Sequence, residues 1–128
     1  MRYLLDTHLL LWAAGIPEQL PNAARAILED PDTIPIFSAA SIWEIAIKNA
    51  MGRQDFQADA RLLHRGLLDN GYEELPIMGI HAATIANLPP LHKDPFDRIL
   101  VAQAMVEEIT LLTADALVAQ YPGTIQRV

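Results

Sequence analysis

The sequence predicts an α/β fold in which helices flank a mostly parallel central sheet. Short apolar runs alternate with longer amphipathic segments along the whole chain, which is the pattern of consecutive strand-helix-strand units. The chain has 128 residues, of which 52% are hydrophobic, so we expect one compact domain over residues 1–128. A chain of this length buries a sizeable core without disulfides or structural metals.

Five short runs of aliphatic, β-branched or aromatic residues predict the strands. They are residues 1–5, 33–37, 74–77, 109–113 and 124–128. The run at 109–113 has the composition of a buried strand. Pro35 lacks the N–H group that a sheet ladder needs, so we expect the second strand to be irregular or to lie at an edge.

Segments with helical spacing or with helix start and stop signals lie between these strands. They are residues 8–14, 22–29, 38–51 (or from 41), 59–70, 81–87, 94–107 and 115–120. The helix at 94–107 has the strongest start signal, because Asp94 is a good cap and Pro95 is favoured at the first helical position. Within 59–70, four leucines are expected to face the core: Leu62, Leu63, Leu67 and Leu68.

Composition and charge exclude several classes of protein. The absence of cysteine excludes disulfide scaffolds, thiolate zinc sites and cysteine nucleophiles. A net charge of -7 argues against a basic nucleic-acid clamp, so any contact with a polyanion must be local or mediated by a metal ion. Asp6 and His8 interrupt the apolar N-terminal run, and no run approaches a membrane span. We therefore expect a soluble cytoplasmic protein with no membrane association.

Four acidic residues follow predicted strands or begin the helices after them: Asp6, Glu44, Asp97 and Asp115. If the strands are parallel, these carboxylates project toward one edge of the sheet. Taken singly, each has a structural explanation as a helix cap, and Ser41 with Glu44 has the spacing of a capping box. Taken together, they repel unless a cation lies among them. Oxygen ligands without cysteine suit Mg²⁺ or Mn²⁺, and such an ion suits a phosphodiester substrate.

Other polar residues lie beside these acids. Thr7 and Thr113 could orient water or phosphate, although threonines at strand ends commonly form turns. Lys48 and Arg98 are candidate phosphate contacts, while Lys48 also has the spacing of an ordinary helical ion pair with Glu44. His92 could donate a proton, but a loop histidine is more often simply solvated.

The large apolar residues near these positions are most simply assigned to the core. They are Leu9, Leu10, Trp12, Ile42, Trp43 and Ile47. If a subset of them were exposed, it would instead mark a surface for a partner.

Four segments, in order over nearly the whole chain, resemble the successive motifs of PIN-domain ribonucleases, and most closely those of VapC-type toxins. They are Tyr3-Leu-Leu-Asp6-Thr7, Ser41-Ile-Trp-Glu44-Ile-Ala-Ile-Lys48 with Gly52, His92-Lys-Asp94-Pro-Phe-Asp97-Arg through Gln103-Ala, and Leu111-Leu-Thr113-Ala-Asp115. The resemblance implies a three-layer sandwich and places the family's metal-binding acids at Asp6, Glu44, Asp97 and Asp115, with Asp94 as a further acid. It also implies magnesium-dependent cleavage of RNA, a homodimer, and inhibition by an antitoxin.

Two other classes of function remain open. A metal-binding but non-catalytic interaction domain could carry the same acids. A phosphoacceptor receiver domain has a similar length and element order, but it needs an acid at the end of a middle strand and a lysine after a late strand. Here Ser38 follows Phe37, and Thr113-Ala114 follows Leu112, so that alternative is weaker.

Overall fold

In the computed structural model, which describes Met1–Val128, the central layer is a five-stranded sheet of order β3-β2-β1-β4-β5. The strands are β1 (Arg2–Leu5), β2 (Ile34–Ser38), β3 (Glu73–Leu75), β4 (Thr110–Thr113) and β5 (Ile125–Arg127). All neighbouring strands pair in parallel. The predicted α/β class and all five strands are confirmed, and the sheet is wholly parallel.

Six α-helices connect and flank the strands. They are α1 (Thr7–Gly15), α2 (Asn22–Glu29), α3 (Ala39–Ala50), α4 (Ala60–Asp69), α5 (Gly79–Thr84) and α6 (Pro95–Glu107). The predicted helix at 115–120 is wrong, since only Val118–Gln120 forms a single 3-10 turn. The Asp115 side chain folds this segment into a tight turn by accepting the N–H groups of Leu117 and Val118, and Pro122 prevents helical continuation. None of the helices has the length and hydrophobicity of a membrane span.

Alternate residues of the inner strands face opposite sides of the sheet and create two apolar cores. Leu4 packs in one core with α6, whereas Leu5 packs in the other with α1, α2 and α4. The helix α3 contacts α1 and α4 as well as α6, so it bridges the two helical layers. The result is the three-layer sandwich that the resemblance implies.

The expected position of the second strand is wrong, because β2 is an inner strand between β1 and β3. Pro35 is tolerated there for a local reason. The N–H of Ile34 donates to the carbonyl of Met1, just before β1, so the nitrogen of Pro35 points away from β1. The strand β3 pairs with β2 only from Ile36 onward, so no ladder bond is lost at Pro35.

Several apolar side chains expected in the core lie on the surface. Leu62 and Leu68 on α4 are 66% and 46% exposed, while Leu63 and Leu67 pack inward as predicted. Trp43 on α3 is 58% exposed and Ile47 is also exposed. These side chains form surfaces that the fold itself does not cover.

Candidate metal centre

The candidate site lies where the neighbouring strands β1, β2 and β4 end, at the carboxyl edge of the sheet. Asp6 follows β1 and caps α1 by accepting the N–H of Leu9 at 3.0 Å. Its other oxygen accepts the hydroxyl of Thr113 at 2.6 Å. Burial raises the pKa of Asp6, and these hydrogen bonds only partly oppose that shift.

Thr113 joins two of the predicted acids. Its hydroxyl donates to Asp6 and accepts the backbone N–H of Asp115 at 3.0 Å. Asp115 uses its Oδ1 atom to accept N–H groups of the following turn. Thr113 therefore acts as a turn residue, as predicted, and also ties the acids after β1 and β4 together.

Glu44 comes from the second turn of α3. This helix begins at Ala39 with Ser38 as its cap, so the capping-box interpretation of Ser41 and Glu44 is wrong. The extra turn carries Glu44 into the interior, where it is 3% exposed. Its Oε1 atom accepts the hydroxyl of Thr7 at 2.6 Å, and the Thr7 oxygen lies 2.9 Å from that of Ser41.

Lys48 lies one turn after Glu44 and contacts two carboxylates. Its Nζ atom is 2.6 Å from Oε2 of Glu44, which confirms the predicted helical ion pair, and 3.3 Å from Oδ2 of Asp94. Burial acts to lower the pKa of Lys48, but the hydrogen bonds and charges of Glu44 and Asp94 outweigh it and raise that pKa.

The N-terminus of α6 supplies two further acids. Asp94 caps the helix as predicted, accepting the N–H groups of Phe96 and Asp97. Asp97 lies in the first turn, and its pKa is raised to about 7. Burial is the main cause, and the charges of four neighbouring acids add to it: Asp94, Glu44, Asp6 and Asp115. The structure thus brings all the predicted acids within electrostatic range of Asp97.

His92 completes the cluster. Its Nε2 atom lies 2.9 Å from Oδ2 of Asp97, and one ligand atom each from His92, Asp97 and Asp115 lie within 4.8 Å of one another. Opposite ligands of an octahedral Mg²⁺ ion are about 4 Å apart, so a small contraction would let these groups share one ion. Carboxylate oxygens with one imidazole also suit Mn²⁺. The residues present therefore fit a divalent cation.

Arg98 is directed toward the loop before α6. Its guanidinium donates to the backbone carbonyls of Ile85, Pro89 and His92 and to the hydroxyl of Tyr121. Both terminal nitrogens thus bond within the protein, which favours a structural role for Arg98, while its predicted phosphate contact stays a prediction. Tyr121 also accepts the N–H of His92 and donates to its carbonyl oxygen.

The sequence named His92 as a possible proton donor but favoured a solvated loop histidine, and it missed the role of Tyr121. A signal was present, because His92 lies two residues before the Asp94 cap and five before Asp97. Tyr121 is 29 residues away along the chain, and no periodicity connects it to the loop.

Comparison with known proteins decides the family. Residues 3–123 match the PIN domain family. The chain belongs to the PIN domain family. The match confirms the resemblance that the sequence motifs indicated. Because this PIN-domain protein belongs to that family, the receiver-domain alternative is excluded. No curated protein matches its sequence significantly.

Three solved structures from bacteria share this fold. VapBC2 from Rickettsia felis, bound to a DNA fragment from their promoter, superposes with a TM-score of 0.73 at 15% identity, over 99% of this chain and 98% of that chain. VapBC-1 from nontypeable Haemophilus influenzae gives 0.64 at 20%, over 99% and 98%. FitAcB from Neisseria gonorrhoeae gives 0.61 at 20%, over 91% and 89%. The PIN fold thus extends over almost the whole of this chain.

Proposed function

We propose that this PIN-domain protein is a magnesium-dependent endoribonuclease and the toxin of a type II toxin-antitoxin pair. The observation that carries the proposal is the crowding of carboxylates around Asp97, whose pKa is raised to about 7. Such crowding costs stability in the free protein and is relieved when a divalent cation binds. The VapC-type motifs in the sequence and the VapBC structures of similar fold support the toxin assignment.

The proposed catalytic and metal-binding acids are Asp6, Glu44, Asp97 and Asp115, with Asp94, Thr7 and Thr113 supporting them. When bound, Mg²⁺, or Mn²⁺ in its place, supplies a water of lowered pKa and a positive charge beside a phosphate oxygen. Asp97 and Asp115 have carboxylate oxygens facing the cluster, whereas Thr113 holds Asp6 in place. The cation also neutralises the local field, which lets an acidic protein accept RNA.

An antitoxin is the proposed protein partner. A groove of about 680 Å³ runs between α1 and α4, and it is lined mainly by apolar side chains. These include Leu11, Ala13, Ala14, Leu62, Leu63 and Leu67. The exposed Leu62 and the acidic charge of the domain favour an amphipathic segment that carries arginine or lysine.

A second copy of the chain is the other proposed partner. Trp43, Ile47 and Met51 are exposed at intervals of four residues along α3 and its C-terminal end, and together they form one apolar stripe. Trp43 also packs edge-on against Phe96 of α6, with ring centroids 5.1 Å apart, so the stripe continues toward the candidate site. We propose a homodimer that covers this stripe.

The direct test is cleavage of RNA by the purified chain with magnesium, with a chelator, and after magnesium is restored. We expect cleavage only when a divalent cation is present. Asp97→Asn and Asp115→Asn should abolish cleavage, whereas Asp59→Asn should retain it because Asp59 caps α4 away from the cluster and asparagine also caps well.

Two results would contradict the proposal. Cleavage that persists in chelator and in Asp97→Asn would exclude the carboxylate site as its source. Cation binding without cleavage of any RNA would favour the alternative, a metal-binding but non-catalytic interaction domain.

A further inference from the structure

A lysine lies inside the carboxylate cluster of the candidate site. The Nζ atom of Lys48 lies between Glu44 and Asp94, at 2.6 Å and 3.3 Å. Its side chain is largely buried, as are those of both acids. An exposed ion pair contributes little to stability. A buried ammonium shared by two carboxylates is different, because each of these charges depends on the others for compensation.

The ammonium group is held on its other sides by aromatic rings. Nζ lies 4.8 Å from the ring centroid of Phe56 and 5.5 Å from that of Phe96, both within cation–π range. The cation therefore contacts two carboxylates and two π faces. A divalent ion in the place of the ammonium would not contact the two rings directly, because such an ion keeps several of its water ligands.

Both carboxylate oxygens of Glu44 already accept a hydrogen bond from a side chain of the protein. Oε1 accepts the hydroxyl of Thr7 and Oε2 accepts the ammonium of Lys48. In contrast, the carboxylates of Asp97 and Asp115 face each other beside His92 without an intervening cationic side chain. Glu44 and Asp94 thus share the single positive charge of Lys48, whereas no cationic side chain lies between Asp97 and Asp115.

We infer that Lys48 occupies the place of a second divalent ion between Glu44 and Asp94, so that the site binds a single metal ion. The inference rests on the proposed function and changes one role within it: Glu44, proposed above as a metal-binding acid, then orients Lys48 instead of contacting the metal ion. Nucleases with two ions hold them about 4 Å apart between shared carboxylates. Here the ammonium of Lys48 lies between two of the carboxylates instead.

The test counts bound Mn²⁺ in the full-length protein by electron paramagnetic resonance and by calorimetric titration. We expect one ion in the parent protein. Lys48→Met keeps the apolar stem against the two phenylalanines but removes the charge, so Glu44 and Asp94 should bind a second ion. Lys48→Arg keeps the charge and should still bind one. Lys93→Met, which removes an exposed lysine on the adjacent loop, is the matched control and should also bind one.

Two further variants keep the test decisive if Lys48→Met folds poorly. Lys48→Met combined with Glu44→Gln removes both charges of the pair, and this variant should bind one ion. Glu44→Gln alone should bind one ion with an affinity within about tenfold of the parent, whereas loss of a direct ligand would cost more.

The outcomes separate this inference from the proposed function. Two ions in the parent, one ion in a folded Lys48→Met variant, or a large loss of affinity in Glu44→Gln would each overturn the role of Lys48 and leave a metal-dependent nuclease intact. No bound ion in the parent would overturn both proposals.

Discussion

The Nε2 atom of His92 lies 2.9 Å from Oδ2 of Asp97, and the backbone of His92 is fixed at both its N–H and its carbonyl by Tyr121. The Nδ1 atom of His92 accepts the N–H of Asp94 at 3.4 Å. The imidazole is therefore held in the loop on one side and contacts the Asp97 carboxylate on the other. This contact links the loop before α6 to a carboxyl group whose pKa is raised to about 7.

Removal of the imidazole should change which metal ion the site prefers. His92→Asn should lower the affinity for Mn²⁺ by roughly tenfold or more, with a smaller effect on Mg²⁺, because imidazole is a better ligand for transition metals than for magnesium. Calorimetric titration with each ion measures both affinities. His64→Asn, on the distant helix α4, is the control. Unchanged affinity for both ions would remove His92 from the metal site.

Neutralising Asp97 should stabilise the metal-free protein. The pKa of Asp97 is about 7 in the folded chain and near 3.8 when unfolded. Between these pH values the Asp97 carboxyl group is ionised in the unfolded chain but still protonated in the folded chain. This group therefore lowers the free energy of unfolding as the pH rises from about 4 to about 7. Asp97→Asn should therefore raise the free energy of unfolding in chelator by an amount on the order of 1 kcal/mol at pH 8, and by much less at pH 4.

Thermal melting in chelator at both pH values measures this effect, which corresponds to about 4 °C at pH 8. Asp59→Asn makes the same change in net charge and should leave the melting temperature nearly unchanged. Magnesium should stabilise the parent but not Asp97→Asn. A lower melting temperature for Asp97→Asn at pH 8 would show that this carboxylate stabilises the helix as a cap and is not destabilised by the neighbouring acids.

Most of the fold was predictable from the sequence because strand composition and helix caps are local signals. Asp94-Pro95 marks the start of α6 correctly, and each acid after a strand lies at the sheet edge as the parallel topology requires. The prediction for Trp43 failed because α3 bridges two helical layers and leaves one side uncovered, a property of tertiary packing. The position of His92 depends on Tyr121, a contact between distant residues that no local pattern encodes.

The groove between α1 and α4 should be the surface that binds the antitoxin. Leu62→Glu places a charge in the apolar groove, and we expect at least tenfold more antitoxin to be needed to inhibit RNA cleavage. Leu68→Glu introduces the same residue on the same helix outside the groove and should behave as the parent. Inhibition curves with the proposed antitoxin measure the difference. Equal inhibition of both variants would place the antitoxin elsewhere.

The apolar stripe on α3 should control association of two chains. Ile47→Glu combined with Met51→Glu adds charges to the stripe but keeps the contact between Trp43 and Phe96, so we expect a folded monomer. Sedimentation velocity on the free protein distinguishes monomer from dimer, and Leu68→Glu is again the control. A parent protein that is monomeric at micromolar concentration, or a charged variant that remains dimeric, would exclude this surface as the interface.

The most direct test of the metal site is the anomalous diffraction of a crystal of this protein soaked in Mn²⁺. We expect a strong anomalous peak among Asp97, Asp115 and His92, with His92 turned from its contact with Asp97 toward the ion and Lys48 still bound to Glu44. A crystal in which the carboxylate cluster shows no peak, and in which Asp97 keeps its contact with His92, would contradict the proposed metal site.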